Sequence, residues 1–418
     1  MKEALEKSRP PQARRSWRAA LGDAVSRHLW LLDGPKLCAA ARRWTGLEDF
    51  GDPPVEPALS VLARSLEDEA DLHPLGRFLM RMHLRDLLAT RLRLTALWRS
   101  RTESLASVPI PRPVFITGMP RSGSTFLHEL LAADPGNRAP RIWEVMFPVP
   151  PSQAARAVDR RVRKAAACLW WFRRLAPQAD AVFPMRANTP HECVAIHSYT
   201  FLSQEFLSTC RIPGYETFLR AADLRPAYAW QRRFLQHLQS GSPAHRWVLK
   251  SPDHVFGLEE LFAAFPDALI IQTHRNPLEV LKSSCHLTDV LQRLYARPAR
   301  REQIVARESR VLVEGMDRLI QFRDAHPELA GRFVDVKYTD LVADPLAVIR
   351  HICEKFGMPL TDLAARRMRS LAGSRSRYRN RQPTTALDDL GLEGSIEMSR
   401  FEEYCARFRI SWQQPQLR

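Results

Sequence analysis

The stretch "VFITGMPRSGSTFLHELL", Val114 to Leu131, constrains the fold of this chain more than any other. A short β-rich run ends at Gly118, a second glycine follows at Gly123, and an amphipathic helical pattern begins at Ser124. Glycines at this G-x4-G spacing let the backbone turn tightly and aim its N–H groups at an anion, while the following helix adds its positive N-terminal end. Loops that grip the terminal phosphates of a nucleotide place a lysine where Ser124 stands, and use it together with magnesium. Without that lysine the loop suits a single phosphate, with Arg121 supplying the charge.

The rest of the chain sorts around this loop. Residues 1–107 predict a helical N-terminal region, because "PALSVLARSLEDEADL" and "LGRFLMRMHLRDLLATRLRLTALWRS" repeat apolar residues at i, i+3, i+4 and i+7. From residue 108 onward strands alternate with helices. "RWVLKSP", "DALIIQTHRNP" and "GRFVDVKYTDLVADP" predict strands; "VFGLEELFAAFP", "PLEVLKSSCHL" and "PLAVIRHICEKFG" predict helices. Strand, helix and strand at this spacing give βαβ units, so the fold class is α/β, a P-loop-type parallel sheet flanked by helices. Residues 150–245 form a helical insertion, in which the Trp170–Trp171 pair is expected in a core or helix-packing surface. The basic segment Ala364 to Arg381 is expected to be a loop.

Charge decides less than its size suggests. The formal net charge of +16 favours an anionic ligand, nucleic acid or an acidic membrane surface. Only eight of the 62 basic residues are lysines, so arginine is simply common here and each one needs a position before it means anything. Seven scattered cysteines, never spaced CxxC, argue against a disulfide framework or zinc site and for a reducing compartment. No signal-peptide core and no stretch of about 20 uninterrupted apolar residues is present, so a cytoplasmic protein without an integral membrane segment is expected. The basic helices leave room for peripheral membrane contact.

"PRSGSTF" resembles the 5′-phosphosulfate loop of sulfotransferases that use 3′-phosphoadenylyl sulfate (PAPS), above all the bacterial branch related to tyrosylprotein sulfotransferases. "THRNPLEVLKSS" is similar to that family's 3′-phosphate motif, an arginine at a strand end and a serine eight residues on, here Arg275 and Ser283. "VLKSPDHVF" lies 25 residues upstream, and "TGLEDFGD" (Thr45 to Asp52) and "ALDDLGL" are less specific matches. Relatives tend to carry a tyrosine where this chain has Thr384-Thr385. The resemblance implies PAPS as co-substrate, no metal, and cofactor contacts from Arg121, Ser122, Gly123, Ser124, Thr125, Phe126, Arg275, Ser283 and Tyr338. It also implies that Lys250 steadies the leaving phosphate.

Sulfuryl transfer further needs a base for the acceptor's proton. Glu144 matches the glutamate that related enzymes place after the loop's helix, and its apolar neighbours predict a raised pKa. His191 and Glu192 are the rivals; His128 is expected to be structural. Arg375, Arg377 and Arg379 are candidates for the 3′-phosphate, with a solvated charge run as the alternative. The expected reaction is transfer of a sulfuryl group to a hydroxyl, or an amine, of a small-molecule or lipid acceptor held by the insertion and the N-terminal helices. A kinase is disfavoured by the missing loop lysine and the missing apolar run ending in aspartate. A nucleic-acid-binding protein is disfavoured because the charge comes without a recognition motif.

Overall fold

The computed structural model describes residues 17–150, 157–182, 184–242, 245–376 and 399–411. Five parallel strands form one sheet in the order β2-β3-β1-β4-β5: β1 (Val114–Gly118), β2 (Asn137–Arg138), β3 (Arg246–Lys250), β4 (Leu269–His274) and β5 (Phe333–Lys337). β1 and β4 are buried at every position, as strands must be when helices cover both faces of a parallel sheet. The side-chain period of two divides them. Phe115, Leu249 and Ile270 join one core, and Val114, Ile116, Val248 and Ile271 join another on the opposite face. Only β2 has no counterpart in the sequence reading. Two residues beside a strand edge carry no period to detect.

The first core also takes in α1 to α4 (Trp17–Leu29, Gly34–Thr45, Glu56–Asp68, Pro74–Arg99), so the N-terminal helices and the sheet share apolar contacts. Arg91 pins this junction. It is fully buried and donates to Phe50 O at 2.8 Å, Tyr199 O at 2.7 Å, Gly51 O at 3.2 Å and Pro53 O. Four carbonyls around one guanidinium satisfy its donors, and burial pushes its pKa down to about 9. The segment "TGLEDFGD" is thus a clamped turn: Gly51 has φ +67°, and a Cβ there would stand 2.8 Å from Thr95.

Around the sheet run α5 (Ser124–Ala132), α6 (Ile142–Met146), α7 (Ala157–Leu175), α8 (Pro177–Val182), α9 (Arg225–Gly241) and α10 (Leu258–Ala264). They are followed by α11 (Pro277–Tyr295), α12 (Arg301–Ala325), α13 (Pro345–Phe356) and α14 (Asp362–Ser376).

Two expectations fail here. The segment expected to be a loop from Ala364 is helix α14 as far as Ser376; Ala364, Met368 and Leu371 sit at i, i+4 and i+7 and pack on the second core. The arginines between them hid that period. Trp170 and Trp171 are not core residues but 47% and 61% exposed. Arg375 lies in the last turn of α14, its side chain outside the described residues, as are Arg377, Arg379, Thr384-Thr385 and "ALDDLGL". No described helix is long and apolar enough to cross a membrane.

Candidate active site

The strand order reverses beside β1, because the chain builds β2 and β3 on one side of it and then crosses to β4 on the other. Crevices for ligands open at such a point, outside the carboxyl ends of the strands. Register brings the ends level: Gly118 pairs with Thr273, and Ile116 with Lys250. A cavity of about 360 Å³ lies there.

The loop's shape leaves no alternative to its glycines. Gly118 has φ +118°, and a Cβ on it would fall 2.4 Å from Thr273 O; Gly123 has φ +88°, and a Cβ would meet the Tyr338 ring at 2.9 Å. Arg121 itself stands at φ +61°, an unusual place for a side chain of that size, and is held there from two sides. Its Nε donates to Ser283 Oγ at 2.9 Å, and its carbonyl accepts from Arg275 Nη1 at 2.9 Å. Arg275 lies 4.2 Å over the Tyr338 ring and donates from Nε to Glu279 at 2.8 Å. Helix α5 starts at Ser124 with no side-chain cap, so its first-turn N–H groups have no intrahelical acceptor and face the loop's concavity.

This is a surplus of positive charge. Burial and the neighbouring Arg275 guanidinium hold Arg121 below the ordinary arginine range. Across the cavity Ser284 Oγ is buried and has no hydrogen-bond partner among the described residues. Two guanidiniums, an uncapped helix start and an orphan hydroxyl fit a ligand with more than one anionic group.

Lys250, only 2% exposed, ends β3 at the other side of the loop. Its Nζ donates to Thr125 Oγ1 at 3.1 Å and forms an ion pair with Glu192. Beneath it His128 donates Nε2–H to Val248 O at 3.0 Å; burial and Lys250 push its imidazole down to about 3, which makes it a neutral strut. Asp253, in the turn after β3, accepts from Ser251 Oγ at 3.0 Å, and burial and then Glu192 push its carboxyl up to about 6. Beyond these polar groups Phe256, Leu287, Leu291, Val311, Leu312 and Met316 give the cavity an apolar wall, drawn mostly from α11 and α12. From residues 150–245 come Glu192, Val194, Gln204 and Ser208; residues 17–107 supply none of the lining.

Of the residues singled out in the sequence, Arg121, Gly123, Ser124, Thr125, Phe126, Glu192, Lys250, Arg275 and Tyr338 line this one cavity. Ser283 reaches it through Arg121. Ser122 turns inward: its Oγ bonds Met119 O and, at 2.6 Å, Thr273 Oγ1, so its side chain braces the loop. Glu144 lies elsewhere. It lines a second cavity of about 790 Å³, where Arg138 Nη2 donates to one carboxylate oxygen at 2.7 Å and Arg141 N to the other at 2.9 Å. The expected desolvated, proton-hungry carboxyl is instead half of an ion pair and the cap of α6. His191 does not line the first cavity; burial holds its imidazole below the usual range. Asp253 and Ser284 escaped the sequence reading, although "KSPDH" and "KSSCH" each place them within three residues of a residue it used.

The raised Asp253 pKa carries a stability prediction. A carboxyl that binds its proton more tightly folded than unfolded loses stability as pH rises from about 4 to about 6, by up to about 3 kcal/mol. Asp253→Asn should therefore be more stable than the parent at pH 7.5 and indistinguishable from it near pH 4. Denaturant titrations of both proteins at the two pH values measure the difference.

A sulfotransferase family model matches residues 113–362, more than half of the chain. The chain belongs to that family. The sulfotransferase STF1 of Mycobacterium tuberculosis superposes with a TM-score of 0.74 at 31% identity, covering 88% of this chain and 98% of that one. STF9 of Mycobacterium avium superposes at 0.77 with 26% identity, over 91% and 97% of the two chains. Stf3 of Mycobacterium bovis, an omega-hydroxy-beta-dihydromenaquinone-9 sulfotransferase, is 26% identical over 279 residues, 64% of this chain and 68% of that protein. This sulfotransferase is thus an α/β enzyme that moves a sulfuryl group from a sulfonate donor to an acceptor, with its phosphate loop at Gly118–Thr125.

Proposed function

We propose that this sulfotransferase takes its sulfuryl group from PAPS and delivers it to the hydroxyl of an apolar, lipid-like acceptor, without a metal. The observation that carries the reading is Lys250, buried at the end of β3 between the loop hydroxyl of Thr125 and the Glu192 carboxylate. PAPS, when bound, supplies a sulfuryl group on a phosphate that leaves as an anion. Arg121, the α5 N-terminus and Thr125 hold the 5′-phosphate; Arg275, Ser283 and Ser284 hold the 3′-phosphate; Tyr338 and Phe126 border the adenine.

The chemistry then falls to two residues. Lys250 places an ammonium against the charge that develops on the departing phosphate, in a site that excludes water and strengthens the interaction. Glu192 is paired with that ammonium while no anion competes for it, and is freed to take the acceptor's proton when one does. The wall between α11 and α12 favours an acceptor with an apolar body, in keeping with the isoprenoid quinone named for Stf3. Seven unpaired cysteines fit a reducing, cytoplasmic setting.

Glu192→Gln should lower kcat by roughly a hundredfold or more with nucleotide affinity nearly unchanged. Glu144→Gln should keep its turnover and lose stability, on the order of 2 kcal/mol, through Arg138. Steady-state kinetics with labelled PAPS and a panel of long-chain alcohols, phenols and sugars tests base and acceptor together. Transfer to sugars alone would refute the apolar acceptor, and full activity of Glu192→Gln would pass the base to Asp253.

A further inference from the structure

Helix α7 presents to solvent a surface that nothing described in the fold uses. Its buried stripe is narrow: Ala165 and Leu169, with Val162, pack on Ile142, Trp143 and Ala187 in a small cluster apart from the two main cores. The opposite arc carries Arg160, Arg163, Lys164, Trp170, Trp171 and Leu175, all exposed. Successive residues turn by about 100°, which puts Arg163, Ala167, Trp171 and Leu175 in one row four residues apart. The cations lie in the first half of that face and the aromatic and aliphatic groups in the second.

A soluble protein gains nothing by leaving two adjacent tryptophans and a leucine in water. Trp170 and Trp171 meet edge to face with centroids 4.8 Å apart, and the Arg174 guanidinium stands 5.4 Å from the Trp170 ring. Between Ala157 and Leu175 the helix carries six basic residues and one acid, Asp159. A second copy of the chain is a poor cover, because a two-fold contact through this face would bring the cations of both helices together. The face matches a surface that is negatively charged and apolar a few ångströms deeper. Tryptophans settle at that boundary with arginine and lysine beside the phosphates, and a helix of this kind lies in the plane of the bilayer instead of crossing it.

We propose that α7 docks this sulfotransferase onto a bilayer surface bearing anionic phospholipid headgroups, with Trp170, Trp171 and Leu175 inserted and Arg160, Arg163, Lys164 and Arg174 on the phosphates. Helix α8, which follows it, packs against α11, the helix that supplies Ser284, Leu287, Thr288 and Leu291 to the cavity. Docking therefore sets the catalytic cavity beside the membrane, where an acceptor with an apolar body resides. The docking does not depend on the identity of donor or acceptor.

Flotation of the full chain with vesicles tests the proposal. The chain should float with phosphatidylcholine vesicles containing phosphatidylglycerol at about 0.1 M salt, and much less with phosphatidylcholine alone or at 1 M salt. The double change Trp170→Ser and Trp171→Ser should cut the partition about tenfold. The triple change Arg163→Glu, Lys164→Glu and Arg174→Glu should cut it by roughly a hundredfold. Both variants alter exposed side chains, so both should bind adenosine 3′,5′-bisphosphate as the parent does, a calorimetric control for folding. Absence of flotation, or equal flotation of parent and folded variants, would overturn the proposal. So would a parent dimer that the tryptophan changes convert to monomers, or salt-sensitive retention on DNA without binding to vesicles.

Discussion

Lys250→Ala should lower turnover by roughly a thousandfold while leaving adenosine 3′,5′-bisphosphate affinity within about tenfold of the parent. The lysine is the one cation that stands at both the loop hydroxyl and the carboxylate proposed as base. Its removal takes away the charge that steadies the leaving group, and it leaves Glu192 in the cavity without its partner. Lys250→Arg should rescue little, because a planar guanidinium does not fit a site in which the ammonium is 2% exposed and already touches two groups. Single-turnover measurements with labelled PAPS separate the chemical step from binding. If kcat is unchanged and only affinity falls, Lys250 is a cofactor ligand and the leaving group is steadied elsewhere.

Arg275→Ala should weaken adenosine 3′,5′-bisphosphate binding by about a hundredfold, the worth of a charge-assisted hydrogen-bond pair. The argument rests on what the guanidinium does before any ligand arrives. It pins the Arg121 carbonyl at 2.9 Å, and so keeps the loop in a left-handed turn that Arg121 does not favour by itself, while the Tyr338 face fixes its own plane. The variant therefore loses both a phosphate contact and part of the loop's preorganisation. Burial of Arg121 should also become easier once its like-charged neighbour is gone, so the folded variant should be no less stable than the parent. Calorimetry gives the affinity, and thermal unfolding gives the stability.

The parts of the fold that the sequence discloses are those whose physics is local. β1, β4 and most of β3 are continuous apolar runs ending in Gly118, His274 and Lys250, and a strand end is where a crevice residue must sit, so Lys250 and Arg275 are visible from their positions alone. What needs the path of the chain is not visible. Glu144 and Glu192 both stand among apolar neighbours, yet one turns to Arg138 on the outer edge of the sheet and the other reaches over to Lys250. Nothing within a few residues of either distinguishes them. Ser284 lies one residue beyond the serine that the motif names, on the helix face that meets the cavity. Composition misled twice: arginines masked the apolar period of α14, and a tryptophan pair passed for core because aromatic residues usually are.

The most direct test is a calorimetric titration of the full chain with adenosine 3′,5′-bisphosphate in the presence of EDTA, repeated with ATP and magnesium. Saturable binding of the bisphosphate that needs no metal, outcompetes ATP and fails in Arg275→Ala is the predicted result. Binding of magnesium-ATP in preference to the bisphosphate, or bisphosphate binding that survives the loss of both Arg121 and Arg275, would contradict it.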